Sequence, residues 1–174
     1  MPDYVGRDET FFMRIALALA GKALELGETP VGAVIVKRAT IIGAGFNKVE
    51  MEHDPTAHAE IVALRKAARA QGDWRLKDST IYVTLEPCVM CAAALLNARV
   101  ERVVFGAWDI RYGAFGSLFD LAHDPRYNHE IEVKSGVMQN ESAELLRDFF
   151  RQQRLRAVGV PKQLRRDARE AEGG

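Results

Sequence analysis

Cysteine is scarce in this chain, and long hydrophobic runs are missing. Only two cysteines occur among 174 residues, so disulfides cannot form the framework of a secreted protein, and a reducing cytoplasm is the natural setting. The most apolar early stretch, residues 11–20, is too short to cross a bilayer and contains Arg14. We therefore predict a cytoplasmic protein that does not associate with membranes.

The chain also lacks net charge, because 24 basic residues balance 24 acidic ones. This balance argues only weakly against a nucleic-acid partner, since the charges are unevenly distributed. Eight basic residues stand against two acidic ones between Arg147 and Arg169. Such a cluster is typical of a phosphate-binding end. A solvated helix followed by a frayed basic tail is an equally compatible interpretation.

The composition is that of one globular domain with a substantial core. Hydrophobic residues make up 48% of the chain and charged residues 28%, which excludes neither enzymes nor binding modules but argues against disorder. We find no internal repeat and no low-complexity segment. The predicted organisation is a single domain over residues 1–157 and a flexible basic C-terminal tail over residues 158–174.

Hydrophobic periodicity predicts alternating helices and strands. Residues 8–27 carry apolar side chains three or four positions apart, as one buried helix face requires. Two β-branched runs, 31–36 and 41–46, predict a hairpin of central strands. The later elements are predicted as helices at 55–71, 88–98 and 141–156, strands at 79–85, 100–106 and 131–135, and a Gly-rich loop at 108–117. This alternation implies a layered α/β sandwich whose sheet is covered on both faces.

His58 and Glu60 lie close to a predicted helix start. Asp54 is the candidate N-cap of this helix, and Pro55 is the candidate first residue. Residues two apart in the middle of a helix point to nearly opposite sides. His58 and Glu60 can therefore face one site only near the helix end.

Together with Cys88 and Cys91, these residues predict a catalytic zinc site. One imidazole and two thiolates fill three of zinc's tetrahedral positions and leave the fourth for water. The two cysteines, three apart at a helix N-terminus, project to the same side, and the helix dipole stabilises their thiolate form. The predicted nucleophile is water activated by the metal. Glu60, whose pKa burial would raise towards neutrality, is the predicted general acid and base.

Two other interpretations of these residues stay open. The Cys-x-x-Cys pair could be a redox dithiol, although such motifs need no accompanying His-x-Glu. A closed structural zinc site would need a fourth ligand, for which the remaining histidines are His53, His123 and His129. We favour the catalytic site because both halves of the motif precede apolar helices.

The His-Ala-Glu and Pro-Cys-x-x-Cys pair is similar to the signature of the zinc-dependent nucleobase deaminases. The segments around it resemble the bacterial tRNA adenosine deaminases over residues 8–156. The matching positions are residues 30–34, Asn47, residues 54–60, 83–92 and 103–107, Asp109, residues 113–114, 116–117 and 128–129, and residues 148–151.

This resemblance implies a fold and an activity. The fold would be a three-layer α/β/α sandwich of the cytidine deaminase-like type, with a mixed sheet of about five strands. The enzyme would be a homodimer that binds one zinc ion per subunit. Its substrate would be a tRNA anticodon stem-loop, in which it converts adenosine to inosine at the wobble position.

The resemblance also implies contacts to the purine. Asn47 would read the edge of the base, and Val31 would pack on its face. The backbone at Ala59 and Pro87 would contact the base and the leaving amine. Core packing for Val31 and a turn role for Asn47 remain alternatives.

Contacts to the rest of the RNA loop would come from later in the chain. By the same resemblance, Asp109 would lie near the loop sugar-phosphate. Phe150 would supply an aromatic surface for single-stranded RNA, with Arg151 and Arg154 on the same helix pairing with phosphates. For the neighbouring Phe149 we favour a place in the core.

Three residues of the 108–117 loop depart from the family pattern. Arg111 stands where the family usually has lysine, which preserves charge but changes its geometry. Trp108 and Phe115 add bulk where the family has smaller or more polar residues. These substitutions bear on the shape of the loop, and hence on RNA preference.

Two rival functions share parts of the same sequence pattern. A free-base or nucleoside deaminase acting on guanine or cytosine would use the same zinc chemistry. A non-catalytic, zinc-stabilised RNA-binding module would need the metal but not Glu60, and the intact glutamate argues against it.

Overall fold

A five-stranded sheet lies between two layers of helices in the computed structural model, which describes residues 8–159. The elements are α1 Glu9–Glu25, β1 Gly32–Lys37, β2 Thr40–Phe46, α2 Val49–Glu52, α3 Ala59–Gln71, β3 Ser79–Leu85, α4 Val89–Asn97, β4 Arg102–Ala107, β5 Glu132–Lys134 and α5 Gln139–Gly159. Residues 160–174 of the predicted tail lie outside the described residues. Within residues 8–159, every helix is too short or too polar to cross a membrane.

The strands follow the order β2-β1-β3-β4-β5. Strand β1 is antiparallel to β2 and to β3, whereas β3, β4 and β5 run parallel. The predicted mixed sheet of about five strands is therefore confirmed. The predicted hairpin forms as well, but only β1 is central, because β2 lies at the edge of the sheet.

Both faces of the sheet are covered, as a three-layer sandwich requires. On one face, α1 packs Phe12 and Met13 against Val34, Tyr82 and Val104. Helix α5 lies in the same layer, next to β4. Helices α3 and α4 cover the opposite face over a larger apolar cluster. This burial of alternate strand residues on both faces is the main source of stability in such a fold.

Helix α3 approaches β2 closely because two alternate strand positions are glycine. A Cβ atom at Gly45 would lie 2.6 Å from the carbonyl oxygen of Ala59, and one at Gly43 would lie 2.8 Å from the amide nitrogen of Ala67. Neither distance leaves room for a side chain. The two glycines therefore set the height of α3 above the sheet, including the height of its N-terminus.

The start predicted for α3 at Pro55 is wrong. The side chain of Asp54 accepts hydrogen bonds from the amide nitrogen and hydroxyl of Thr56, at 2.8 and 2.7 Å, and so closes a local turn. The helix itself begins at Ala59, with His58 as its extended N-cap residue. This later start places His58 and Glu60 at the helix end, where both can face one site.

The close approach of α3 predicts that Gly43→Ala destabilises the protein. The added methyl group must displace the α3 backbone, so the free energy of unfolding is expected to fall by about 1–3 kcal/mol. Gly21→Ala is the matched control, because a Cβ atom at this helical position meets no atom within 4 Å. It should raise stability by about 0.5–1 kcal/mol. Urea unfolding measures both, and equal effects of the two substitutions would contradict the packing argument.

Candidate active site

Two helix N-termini converge on a trio of metal-binding side chains. His58 is the N-cap residue of α3, and Cys88 is the N-cap residue of α4, with Cys91 one turn further along. The Nδ1 atom of His58 lies 3.7 Å from Sγ of Cys88 and 3.6 Å from Sγ of Cys91. All three donor atoms lie within 4.8 Å of one another.

These distances fit a zinc ion. Zinc bonds of about 2.3 Å to sulfur and about 2.0–2.1 Å to nitrogen, at tetrahedral angles, place the nitrogen and sulfur atoms about 3.6 Å apart. Within the described chain, this is the one cluster of three or more potential metal ligands. The alternative ligand His129 instead contacts the carbonyl oxygen of Val100, and His123 pairs with Asp120. The three protein donors would therefore leave the fourth tetrahedral position of a zinc ion open for water.

The contacts within the trio favour a thiolate at Cys88. A hydrogen bond from Cys91, together with the contact with His58, lowers the pKa of Cys88 to about 4. The same hydrogen bond, together with burial, raises the pKa of Cys91. The contact with Cys88 raises the pKa of His58. The site therefore holds a thiolate readily, and a thiolate is the form that binds zinc.

Glu60 is buried in the first turn of α3, beside the metal-binding trio. Its side chain is only 4% exposed. Burial raises its pKa from 4.5 to about 7. A carboxyl group with a pKa near neutrality can accept a proton in one step and donate it in the next. This position and this pKa are those expected of a general acid and base.

A cavity of about 440 Å³ opens above these residues. Val31, Asn47 and Asp109, all predicted to bind substrate, line it together with His58 and Glu60. The cavity is large enough to enclose a purine base.

Two other predicted contacts do not line this cavity. Ala59 and Pro87 are both buried, and neither is among the residues that line it. The carbonyl oxygen of Pro87 accepts a hydrogen bond from the amide of Ala114, at 2.9 Å. Backbone contacts from these two residues to a base stay a prediction.

Phe150 lies in a second cavity of about 570 Å³, between the 108–112 segment and α5. We call this second cavity the groove. Its lining includes Arg147, Phe150 and Arg154. Both cavities share Thr29, Leu85, Asp109 and Tyr112, so they meet at these residues. Phe150 is 46% exposed, whereas Phe149 is buried, as predicted.

Trp108 and Phe115, the two bulky loop residues that differ from the family pattern, lie in different environments. Phe115 is buried in the core cluster under α3 and α4, so its bulk does not face the cavity. Trp108 packs edge-on against Phe105, with ring centroids 4.8 Å apart, and covers Gly116. The exposed part of Trp108 lines the groove. Of these two residues, only Trp108 can affect ligand recognition directly.

Sequence analysis missed two buried acids that line the first cavity. Glu28 accepts hydrogen bonds from the side-chain nitrogen of Asn47, at 2.9 Å, and from the amide of Met51, at 2.7 Å. It thereby fixes the orientation of the Asn47 amide and leaves the amide oxygen to accept from a ligand. The second acid, Glu86, lies beneath the 109–117 segment. A charged residue between a buried strand and the Pro-Cys motif was a visible signal for Glu86, but Glu28 had none.

The geometry predicts that Cys88→Ala loses metal and stability together. Removing one of three donors leaves a site that cannot hold zinc tightly, and metal binding contributes to folding free energy. Each kcal/mol lost should lower Tm by about 2–4 °C in a protein of this size. Zinc content and Tm measure both effects, with exposed His123→Ala as the control. Full zinc content in Cys88→Ala would contradict the assignment.

A family model for the cytidine and deoxycytidylate deaminase zinc-binding region matches residues 7–107. The tRNA-specific adenosine deaminase of Haemophilus influenzae is 53% identical over 143 residues, which cover 82% of this chain and 83% of that protein. The corresponding Bacillus subtilis protein is 44% identical, over 90% of this chain and 97% of that protein.

Solved structures agree with these sequence matches. A structure from a study of A-to-I editing by tRNA:A34 deaminases matches with a TM-score of 0.77 and 43% identity, over 79% of this chain and all of that one. A guanine deaminase from Bacillus subtilis matches with a TM-score of 0.58 and 35% identity, over 72% of this chain and 83% of that one. The chain therefore belongs to the tRNA-specific adenosine deaminases, which carry the cytidine and deoxycytidylate deaminase zinc-binding region.

Proposed function

We propose that this protein hydrolyses adenosine to inosine at the wobble position of a tRNA anticodon. The observation that carries the proposal is the adjacency of the two cavities, which share lining residues. A three-donor metal site with a buried carboxyl group lies in one of them, and exposed aromatic and arginine side chains line the other. The first provides deamination chemistry, and the second suits single-stranded RNA.

In the proposed mechanism, Glu60 moves the protons. When bound, zinc lowers the pKa of a water molecule so that it can act as the nucleophile at neutral pH. Glu60 accepts a proton from this water and delivers it to N1 of the adenine as C6 is attacked. It then accepts the remaining proton of the water, from the hydroxyl group now on C6, and transfers it to the amine, which leaves as ammonia while C6 becomes a carbonyl. A pKa of about 7 suits both roles.

Two side chains would orient the purine in the cavity. The amide of Asn47, held by Glu28, presents its oxygen as a hydrogen-bond acceptor for the edge of the base. Val31 lines the same cavity and would pack on the face of the base. The backbone at Ala59 and Pro87 would complete the contacts on the side of the leaving amine.

The groove would hold the nucleotides that flank the target adenosine. Phe150 offers an exposed ring on which a base can stack, and Arg147 and Arg154 can pair with phosphates. Asp109 lies where the two cavities meet, and it would lie near the sugar-phosphate of the bound loop. A free-base deaminase would need no such groove.

We further propose that the protein acts as a homodimer in the cytoplasm. Val89, Leu118 and Phe119 expose 42%, 54% and 51% of their surfaces. They lie near one another, because Gly113 accepts a hydrogen bond from the amide of Phe119 and pairs with Cys88. Such an apolar patch suits an interface between subunits. Two free metal-binding thiols suit a reducing compartment.

Glu60→Gln tests the mechanism. This variant should keep zinc and Tm but lose about 10²–10⁴-fold in kcat, because glutamine cannot transfer protons. The assay scores inosine in an anticodon stem-loop with adenosine at the wobble position, in parallel with free adenosine, guanine and cytosine. Exposed Glu130→Gln is the control. Full activity in Glu60→Gln would rule out the mechanism, and wild-type turnover of a free base alone would overturn the RNA assignment.

Phe150→Ala tests the groove. Loss of one stacking surface is worth about 1–3 kcal/mol, so KM for the stem-loop should rise about 5–150-fold with a smaller change in kcat. Trp74→Ala is the matched control, since Trp74 is 54% exposed and packs against Arg75 at a distance from both cavities. An unchanged KM in Phe150→Ala would show that RNA does not use the groove.

A further inference from the structure

Glu86 is a buried acid that the proposed mechanism does not use. Its side chain is 2% exposed and accepts four hydrogen bonds from a single segment, residues 109–117. One carboxyl oxygen accepts from the amides of Phe115 and Ser117, at 3.0 and 3.1 Å. The other accepts from the amide of Asp109, at 3.0 Å, and from the hydroxyl of Ser117. Both ends of the segment are therefore tied to one group.

The place of Glu86 in the chain links this segment to the metal site. Glu86 follows β3 directly and precedes Pro87 and the metal ligand Cys88. The segment lies against the same stretch of backbone, because Ala114 donates to the carbonyl of Pro87 and Gly113 pairs with Cys88. The carboxyl group of Glu86 fills the space that a side chain at Gly113 would need.

Through Asp109, this anchoring reaches the junction of the two cavities. Glu86 holds the backbone of Asp109, and the side chain of Asp109 accepts from the amides of Arg111 and Tyr112, at 3.0 and 3.2 Å. Asp109 and Tyr112 line both cavities. The placement of Asp109 and Tyr112 at this junction thus depends on a chain of hydrogen bonds that begins at Glu86.

We propose that Glu86 is a positioning residue, which holds residues 109–117 in the conformation that places Asp109 and Tyr112 where the two cavities meet. Its effect is on binding of the nucleic-acid segment beyond the target base, and not on the chemical step. The identity of that ligand rests on the proposed function, but the anchoring of the segment does not.

Glu86→Gln is the test. A glutamine side chain has one acceptor oxygen, and its NH₂ group would face the amide donors of the segment, so part of the network must break. Hydrogen exchange at the amides of Asp109, Phe115 and Ser117 should rise about tenfold or more, since hydrogen bonds to a carboxyl group contribute substantially to local stability. KM for the stem-loop should rise about tenfold, while kcat stays within about threefold of wild type.

A double-mutant cycle separates positioning from a general structural role. If Glu86 acts through Asp109, Glu86→Gln should raise KM by less than about twofold in an Asp109→Ala background. Ser117→Ala removes one of the four hydrogen bonds to Glu86. Its exchange rates at the amides of Asp109 and Phe115 should therefore lie between those of the wild type and those of Glu86→Gln. Zinc content, measured alongside, should match wild type.

Unchanged exchange at the three amides would overturn the anchoring. If the fold-increases in KM of the two single variants simply multiply in the double mutant, the positioning role is overturned. A loss confined to kcat would overturn it as well. The exchange measurement needs no substrate, whereas failure of the wild-type protein to act on the stem-loop would count against the proposed function. The two failures are therefore distinguishable.

Discussion

The site depends on the convergence of two helix N-termini on three donor atoms. At most helix starts, a Ser, Thr, Asp or Asn side chain satisfies the free backbone N–H groups. Here the N-cap positions are His58 and Cys88, and neither side chain caps its own helix. Both side chains remain available for metal, and the positive helix ends favour thiolate and carboxylate groups between them. The convergence itself requires the glycine face of β2, which lets α3 approach the sheet.

Much of the fold and of the metal site could be predicted from sequence because the signals are local. Strand β3 occupies the predicted residues 79–85, since a β-branched run has few alternatives. The zinc donors were found because the chemistry restricts both residue type and spacing. The start of α3 was missed because Asp54 has the local signature of a cap but uses its side chain to close a turn.

The remaining features are tertiary, and no short pattern encodes them. Glu28 and Glu86 each accept from a backbone amide that folding brings from 23 residues away. Phe115 faces the core because of the path of its loop. An aromatic side chain in a loop could equally face the core or the ligand, so residue type alone does not predict which. The edge position of β2 follows from the sheet order, which the apolar pattern of the hairpin does not reveal.

The distance along the chain between the metal donors has a consequence for the order of folding. His58 is separated by 30 residues from Cys88 and by 33 from Cys91. In a zinc finger, ligands within short turns allow the metal to organise a small unit early. Here a long segment, including α3 and β3, must close before the three donors meet. We therefore expect tight metal binding only after this segment has closed, so that the bound metal stabilises a domain that is already packed.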